Sequence, residues 1–590
     1  MKTITTLLNY AFGKEQRLPI YFFLYTICTG LSSLLSMLFL QMITGFSDNA
    51  GSQNAELFAI CLCVGFAIGM ILAKTISSAM YFKADSRFTF IRTDLQNDVS
   101  YHIMMLDFEL IENKEFLDQN ERALKSLESS ERGAELILKT FFQLPGILLS
   151  LLSGFFILAS IRLYLPLLFI PHLVIGLWTS KKYVHFRESL QRDISRNQIQ
   201  MDYLLDTIND TKYAKELRIF HLRPLFFRKL SDRLNDLSSL LRKEERAMIR
   251  IHVIITSAVF ILTGITVMSV ILTGYNANRI SLSQLAVAIY AIINTCRYSD
   301  ELFEDVEKII FESQCVKEIF DLLNIRCGTT ASEITVLSDS YDYEWEVNNL
   351  TFQYLNTEEY ALRNISFKLR PNEHLAVIGL NGAGKSTLIK CMTGLYKNYQ
   401  GEILFRGTNI RSVPIDILAQ HIGVQYQDAD VYPFTIKENL TSSSCDPDMD
   451  RLWDSLATVF SKDTLQKFSH NPDTVLEKLF DENGVVLSGG ERESFMFARI
   501  LYQNPDSVIL DEPTAKLDAI AEQNLIKTLN KIFENQCIIF ISHHLSTAAS
   551  MNRILLLKDG ALIGDGSHQS LLQHCSEYGR LIDLQKNYYV

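Results

Sequence analysis

Long apolar runs dominate the first half of the chain. Six of them are separated by charged residues and cover about residues 18–47, 57–73, 140–161, 163–180, 251–278 and 280–296. Each approaches or exceeds the ~20 residues that a helix needs to cross about 30 Å of hydrocarbon. Six such runs cannot all be buried inside a soluble domain of this size. The pattern therefore predicts six membrane-spanning helices.

The basic residues of the connections predict an orientation. The turns after the third and fifth runs hold one each, Arg162 and Arg279, and the turn at 48–56 holds none. The long connections at about 83–139 and 181–250 are rich in Lys and Arg, which favour the cytoplasmic side. We expect these connections and both termini in the cytoplasm. Their heptad-like apolar spacing predicts membrane helices that continue beyond the bilayer.

The pattern changes in the second half, after a polar linker at 327–343. Short apolar strands there alternate with helical segments, as in a parallel α/β sheet. The predicted fold is therefore multidomain. An all-α six-helix transmembrane domain occupies residues 1–326, and an α/β domain with a phosphate-binding loop occupies residues 344–590.

A glycine-rich loop follows the predicted strand at 375–378 and precedes a helical pattern. It has the form GxxxxGK[ST] and consists of Gly379, Leu380, Asn381, Gly382, Ala383, Gly384, Lys385, Ser386 and Thr387. In this strand–loop–helix context, backbone N–H groups surround phosphate oxygens, and the helix N-terminus faces them. We expect Lys385 to reach the β- and γ-phosphates of ATP and Ser386 to ligate Mg²⁺.

Two carboxylates follow a second apolar strand at 507–510. Asp511 stands at its carboxyl end, where doubly wound sheets bind ligands, and is suited to hold Mg²⁺ through water. Glu512 is the next residue and can polarise an attacking water as general base. Together with the phosphate loop, the pair predicts ATP hydrolysis.

Charge and cysteine usage exclude other classes. The chain has a net charge of −11, and the residues after 330 carry 22 Lys/Arg against 34 Asp/Glu. This acidic balance argues against nucleic acid as a partner. The ten cysteines show neither CxxC pairs nor zinc-ligand spacing. Lys74 and His172 are polar residues within the membrane region, and each is expected at a helix end, at a water-filled cavity or in contact with substrate.

The segment Leu487-Ser488-Gly489-Gly490-Glu491 resembles the signature motif of ATP-binding cassette (ABC) proteins, in which the last position is usually Gln. Other family landmarks follow in the expected order: Tyr354, Gln427, the D-loop-like stretch 515–518, and His543. The resemblance implies that Tyr354 stacks on adenine, that Gln427 senses Mg²⁺ and faces the membrane domain, and that His543 contacts the γ-phosphate. It also implies that Ser488, Gly489 and Gly490 bind the ATP held by a second chain.

Over nearly its whole length the chain resembles half-size ABC exporters of type I. The resemblance implies a multi-pass protein of the cytoplasmic membrane that uses ATP and Mg²⁺ to drive export by alternating access. One cassette per chain implies a homodimer, with a heterodimer as the alternative. Two turns, near 108–116 and 207–214, are expected to dock close to Gln427 and to pass on the cassette movement.

The expected substrate class depends on a resemblance to one subgroup of ABC exporters. Segments 215–220 and 480–488 resemble stretches of exporters of bacteriocins, lantibiotics and other modified peptides. A peptide is therefore the expected cargo. A lipid, a lipid-linked sugar or a hydrophobic drug uses the same architecture and stays an alternative. A second class of function, an ATP-gated channel or regulator, also stays open.

Overall fold

The computed structural model describes residues 2–47, 53–276, 281–326, 337–338, 340–355, 357–427, 430–441, 446–513, 519–542 and 548–586. The chain forms two compact units. The first comprises Met1–Met104 and Glu115–Ile325, and the second comprises Met105–Lys114 and Arg326–Val590. The ten residues 105–114 are therefore enclosed in the sequence of the first unit but belong to the second.

The first unit is helical throughout its described length. Its helices are α1 (Lys2–Lys14), α2 (Leu18–Ser47), α3 (Gln53–Met104), α5 (Lys114–Glu128), α6 (Gly133–Ile161), α7 (Ile170–Asn209), α8 (Ala214–Ile219), α9 (Arg223–Ala247), α10 (Ile254–Asn276) and α11 (Leu282–Leu323). Short 3₁₀ turns at Leu165–Phe169 and Thr211–Tyr213 precede α7 and α8, and a π turn at Met248–Val253 joins α9 to α10.

Four described stretches of this unit are long and apolar enough to cross a membrane, judged by length and composition alone. They are Leu18–Leu40, Ile60–Met104, Gly133–Ile161 and Arg223–Asn276. They contain all of the third predicted span and most of the first, second and fifth. The fourth predicted span is divided by the 3₁₀ turn before α7, and the sixth lies in α11, where Asn294 and Arg297 lower the mean hydropathy. For these two, crossing stays a prediction.

Close helix packing holds the first unit together. Helix α6 packs against α2 and α11, and α7 meets α11 where Gly176 lies under the ring of the fully buried Phe303. His172 is 1% exposed and lies between Phe260 and Phe303, at ring-centre distances of 6.2 and 5.6 Å. Lys74 is exposed on the surface of α3. Of the two polar residues, His172 is therefore the one within the helical core.

Two β-sheets form the centre of the second unit. The strands are β1 (Trp345–Gln353), β2 (Tyr360–Leu369), β3 (His374–Ile378), β4 (Gln400–Phe405), β5 (Thr408–Asn409), β6 (Ile422–Gln425), β7 (Ser507–Asp511), β8 (Cys537–Ser542), β9 (Arg553–Lys558) and β10 (Ala561–Gly566). The first sheet is antiparallel, with the order β2-β1-β4-β5. The second has the order β10-β9-β3-β8-β7-β6, and all its strands except β10 run parallel.

Helices surround the sheets of this unit. They are α4 (Phe108–Ile111), α12 (Lys385–Met392), α13 (Ile415–His421), α14 (Ile436–Thr441), α15 (Met449–Val459), α16 (Lys462–Lys467), α17 (Gly489–Gln503), α18 (Ala519–Ile532), α19 (His568–His574) and α20 (Ser576–Lys586), with a 3₁₀ turn at Ile410–Ser412. Every residue of β7 and β8 is buried. This explains why their sequences are continuous apolar runs rather than alternating ones.

The carboxyl ends of the parallel strands point to one edge of the sheet. The strands β3, β7 and β8 are direct neighbours there, in the order β3-β8-β7. The phosphate loop follows β3, and the Asp511–Glu512 pair ends β7. This topology brings two motifs that are about 130 residues apart in the sequence to one edge. The predicted fold class, a helical membrane domain followed by an α/β domain, is confirmed.

Candidate functional site

The phosphate loop depends on two glycines where a side chain would not fit. Gly384 has φ of 97°, a left-handed conformation, and directly precedes α12. A Cβ at Gly379 would lie 2.5 Å from the Leu557 carbonyl oxygen, and one at Gly384 would lie 2.7 Å from that of Ala361. The loop is therefore packed against backbone on its inner side.

The outer side of the loop is open. Leu380, Asn381, Gly382 and Ser386 are exposed, whereas Ala383, Lys385 and Thr387 are buried. Backbone N–H groups at the start of α12, together with the exposed Ser386 hydroxyl, form a donor set that suits phosphate oxygens. Phosphate binding by this loop stays a prediction.

Lys385 lies across the loop and is 7% exposed. Its Nζ donates to the carbonyl oxygens of Gly379 at 2.8 Å and Leu380 at 3.2 Å. Burial lowers the pKa of the Lys385 ammonium, while the charges of Glu512 and Asp511 oppose this shift. The lysine is therefore a cation held among carbonyls and near two carboxylates, where further negative charge from a phosphate would stabilise it.

Gln427 and the Asp511–Glu512 pair meet at this edge. The Gln427 amide Nε2 donates to the Glu512 carboxylate at 3.2 Å. Asp511 is 6% exposed, and Glu512 is less deeply buried. Glu512 has φ of 50°, which is strained for a non-glycine residue and is common at functional sites. The structure thus brings together two segments that the sequence predicted separately.

The hard oxygen donors here fit a magnesium ion. Ser386, Gln427 and Asp511 offer a hydroxyl, an amide oxygen and a carboxylate, which are the ligand types that Mg²⁺ prefers. Among the residues that the structure describes, no group of three His, Cys, Asp or Glu side chains is placed to hold a metal. In nucleotide sites Mg²⁺ is usually bound by one or two protein ligands together with phosphate oxygens.

Tyr354 lies beside the start of α12. Its hydroxyl is 2.8 Å from the Thr387 Oγ1, and the residue is 36% exposed. Tyr396 meets it edge-on at a ring-centre distance of 5.8 Å. Tyr396 also stacks on Phe352 at 4.8 Å. Sequence reasoning missed Tyr396 because it belongs to no motif and only its aromatic character, shortly after the phosphate-loop helix, could have drawn attention to it.

The segment 105–114 is attached next to Tyr396. Glu112 accepts a hydrogen bond from the Tyr396 hydroxyl and lies 2.7 Å from the Lys390 ammonium. The Glu109 carboxylate accepts from the backbone N–H groups of residues 397 and 398, at 2.6 and 2.9 Å. We expected this turn to dock close to Gln427. Its hydrogen bonds are with residues 390–398, and closeness to Gln427 stays a prediction.

The signature segment begins a helix. Ser488 caps α17, with its Oγ 3.4 Å from the Glu491 backbone nitrogen, and the Glu491 carboxylate accepts from the Ser488 N–H at 2.8 Å. Gly489 and Gly490 are exposed, and a Cβ at either would meet no described atom within 4 Å. Neither has a positive φ. The described part of the chain therefore gives no reason for these two positions to be glycine.

Two predicted motifs cannot be placed. His543 and the D-loop-like stretch 515–518 lie outside the residues that the structure describes. Their predicted roles stay predictions.

Comparison with known proteins bears on the assignment. Residues 362–515, which include the phosphate loop, the signature segment and the Asp511–Glu512 pair, match the family model described as ABC transporter. The nisin transport ATP-binding protein NisT of Lactococcus lactis subsp. lactis is 26% identical over 98% of this chain and 95% of its own length. The subtilin transport ATP-binding protein SpaT of Bacillus subtilis is 27% identical over 83% of this chain and 78% of its own length.

Over nearly its whole length the chain is similar to transport ATP-binding proteins, and residues 362–515 form an ABC transporter domain. Its second unit carries the ATP-binding domain, and the protein is an ATPase-coupled transporter. A solved bacterial Atm1-family ABC exporter with ATP bound has the same fold, with a TM-score of 0.78, 19% identity, and coverage of 97% of this chain and 98% of that one. The ATP-dependent lipid A-core flippase of Escherichia coli (strain K12) is 30% identical over 241 residues, 41% of each protein.

Proposed function

We propose that this ABC transporter exports a peptide across the cytoplasmic membrane as a homodimer that alternates between inward- and outward-open states. Residues 1–326 form the membrane domain, 327–343 the linker and 344–590 the cassette, and both termini lie in the cytoplasm. Hydrolysis of ATP changes the relative stability of the two states and so drives the cycle.

The residues at the sheet edge perform the hydrolysis. Lys385 exchanges its loop carbonyls for the β- and γ-phosphates, because phosphate oxygens are the stronger partners of an ammonium. Glu512 accepts a proton from the attacking water, and the Gln427 amide at 3.2 Å orients its carboxylate. Ser386, Gln427 and, through water, Asp511 would hold Mg²⁺, which would supply neutralisation of the phosphate charge. Tyr354 stacks on adenine, and His543 contacts the γ-phosphate.

Two open glycines support the dimer. A Cβ at Gly489 or Gly490 would meet no described atom of its own chain. The absence of a side chain at these positions therefore leaves room for a group from another molecule to come close to the backbone. The N-terminus of α17 carries N–H groups without a partner inside the helix and a partial positive charge, both of which attract a phosphate. The ATP on the phosphate loop of a second chain would supply it. A homodimer is favoured because one chain contains both halves of the composite site.

The extent of the alignments supports a peptide as cargo. Substrate contacts of an exporter lie in its membrane domain, so only alignments through that domain bear on cargo. Those with the nisin and subtilin transport proteins cover 98% and 83% of this chain. Those with the lipid A-core flippases cover 241 residues, 41% of this chain. This is too short to include both the cassette and the membrane domain.

Reconstitution into proteoliposomes tests the proposal. Wild-type protein should hydrolyse ATP faster in the presence of nisin or subtilin and should accumulate the peptide inside inverted vesicles. Glu512→Gln should bind ATP but lose hydrolysis by about 10²–10⁴-fold, the usual contribution of a general base. Lys385→Ala should lose both hydrolysis and transport, whereas Lys531→Ala, an exposed lysine on α18, should retain both.

Four outcomes would contradict the proposal. Hydrolysis at the wild-type rate by Lys385→Ala would remove the assigned site. Full activity in a monomeric fraction would remove the dimer. Stimulation and transport by lipid but by neither peptide would change the cargo, and ATP-dependent ion conductance without peptide accumulation would favour the gated channel.

A further inference from the structure

The signature segment of this chain carries a charge that the usual family residue would not. Glu491 stands where Gln is common, in the first turn of α17 and directly after Gly490. In the proposed dimer the γ-phosphate of the partner chain's ATP approaches this turn. A carboxylate here would repel that phosphate and compete for the same helix N-terminus. The chain therefore needs a way to neutralise Glu491.

Each Glu491 oxygen has its own partners. The Oε1 atom lies 2.5 Å from the Lys467 ammonium and 3.4 Å from the Thr464 hydroxyl. The Oε2 atom accepts from the Ser488 backbone N–H at 2.8 Å. The glutamate side chain is 17% exposed and the lysine side chain 50% exposed. The ion pair thus points one oxygen towards the cation and leaves the other as the cap of the signature turn.

The lysine is placed by the fold rather than by chance. Lys467 is the last residue of α16, a helix whose N-terminus is capped by Ser461. The next residue, Phe468, is fully buried and packs edge-on against Phe460 at a ring-centre distance of 5.5 Å. Because the backbone at Phe468 is anchored in this core, the Lys467 ammonium starts from a fixed point beside the signature turn.

Electrostatics agree with a stable charge pair. The hydrogen bond from Lys467, followed by the backbone N–H of Ser488, lowers the pKa of Glu491 to about 2. The carboxylate is consequently ionised at every pH at which the transporter works. Its neutrality towards an approaching phosphate has to come from Lys467 and cannot come from protonation.

We propose that Lys467 is a positioning residue for ATP binding. It neutralises Glu491 and holds that carboxylate in the capping position, so that Ser488, Gly489 and Gly490 can accept the γ-phosphate of the partner's ATP. This inference rests on the proposed composite site. In the variant Glu491→Gln, the amide oxygen would accept the same hydrogen bond from the Ser488 N–H but would carry no charge. This variant would therefore not need the Lys467 ammonium.

Four proteins form the test: wild type, Lys467→Met, Glu491→Gln and the double variant. Lys467→Met should raise the KM for ATP by about fivefold, the range of one exposed ion pair, with a smaller change in kcat. Glu491→Gln should keep a KM close to the wild type, and the double variant should match Glu491→Gln. The Lys467→Met defect should shrink as salt is raised, since salt screens the repulsion.

Further measurements separate this inference from the proposed function. Circular dichroism should show all four proteins folded at the assay temperature, so a change in KM confined to Lys467→Met would not reflect unfolding. If the double variant is as impaired as Lys467→Met, or if Lys467→Met has the wild-type KM, Lys467 has no role through Glu491 and this inference fails alone. If Lys385→Ala, measured in parallel, hydrolyses ATP normally, the composite site itself is wrong whatever the four proteins give.

Discussion

The Glu112 carboxylate lies 2.7 Å from the Lys390 ammonium, although 278 residues separate them in the sequence. The same carboxylate accepts from the Tyr396 hydroxyl, and the Tyr396 ring meets Tyr354 edge-on. The segment between α3 and α5 is thereby linked to the side chain proposed to stack on adenine. A shift of Glu112 would be felt at the nucleotide through two aromatic rings.

Replacing Glu112 by Gln should weaken this link without unfolding the protein. The amide can still accept from Tyr396 but loses the ion pair with Lys390. Because both partners are partly exposed, the free energy of unfolding should fall by less than ~1 kcal/mol. Basal ATP hydrolysis should persist, and its stimulation by peptide should drop. Parallel assays of Asp118→Asn, an exposed acid on α5, control for the loss of one charge; equal stimulation in both variants would speak against the link.

A buried ion pair should make Arg406 important for stability. Arg406 Nε lies 3.0 Å from the Glu344 carboxylate, which is 2% exposed, and its guanidinium also reaches Asp506 at 3.0 Å. Arg406→Met leaves a buried charge without its cation and should lower the free energy of unfolding by about 3 kcal/mol. Adding Glu344→Gln should restore part of the loss, measured by urea unfolding. No recovery in the double variant would contradict this account.

The same variant should acquire a pH dependence. Burial raises the pKa of Glu344, and Arg406 opposes that shift. Without Arg406 the folded-state pKa rises further above the unfolded value. A raised folded-state pKa means that stability is greatest below the unfolded pKa and is lost as the pH rises through the folded one. Urea unfolding at several pH values should therefore show Arg406→Met gaining stability on acidification, relative to the wild type.

Two helix glycines provide a matched pair. A Cβ at Gly176 would lie 2.1 Å from the ring of Phe303, which is fully buried, whereas one at Gly264 would meet no described atom within 4 Å. Gly176→Ala should lower the free energy of unfolding by about 1–3 kcal/mol through overpacking. Gly264→Ala should be neutral or stabilising by up to ~1 kcal/mol. Thermal unfolding in detergent measures both, and equal melting temperatures would contradict the packing argument.

The capping carboxylate of α17 predicts a second pH effect, opposite in sign. The pKa of Glu491 is lowered to about 2. A lowered pKa adds stability that is present above the unfolded value of about 4.3 and is lost as the pH falls through the folded one. The stability difference between wild type and Glu491→Gln should therefore shrink as the pH falls from the unfolded pKa towards the folded one. If the difference stays constant across this window, the contacts of Glu491 do not lower its pKa.

Prediction from the sequence was most informative where the chemistry of a site fixes the spacing of its residues along the chain. The glycines, Lys385 and Ser386 must be contiguous to surround a phosphate, and Asp511 must end a buried strand, so both signals are local. Gln427 was placed by resemblance to a family, and the structure puts its amide 3.2 Å from Glu512. The order of motifs thus carried three-dimensional information that no single residue held.

Other features left no local trace. The bond of Glu112 to Tyr396 joins residues that have neither motif nor periodicity in common, so the allocation of 105–114 to the second unit could not be foreseen. His172 is polar by sequence, yet it lies between two phenylalanines. The break before α7 follows from Pro166 and Pro171, whose missing N–H groups the apolar pattern alone does not register.

Because residues 105–114 belong to the second unit, the order of synthesis affects how that unit folds. The ribosome synthesises Phe108 and Glu112 long before Tyr396 and Lys390. Residues 105–114 therefore cannot make their contacts with the second unit until residues 390–398 have been synthesised. The entropy of closing so long a loop grows only slowly with its length, and the delay therefore costs time more than stability. A fragment that starts at residue 326 would lack Phe108, whose ring centre lies 6.2 Å from that of Tyr396, and would leave Lys390 without its carboxylate.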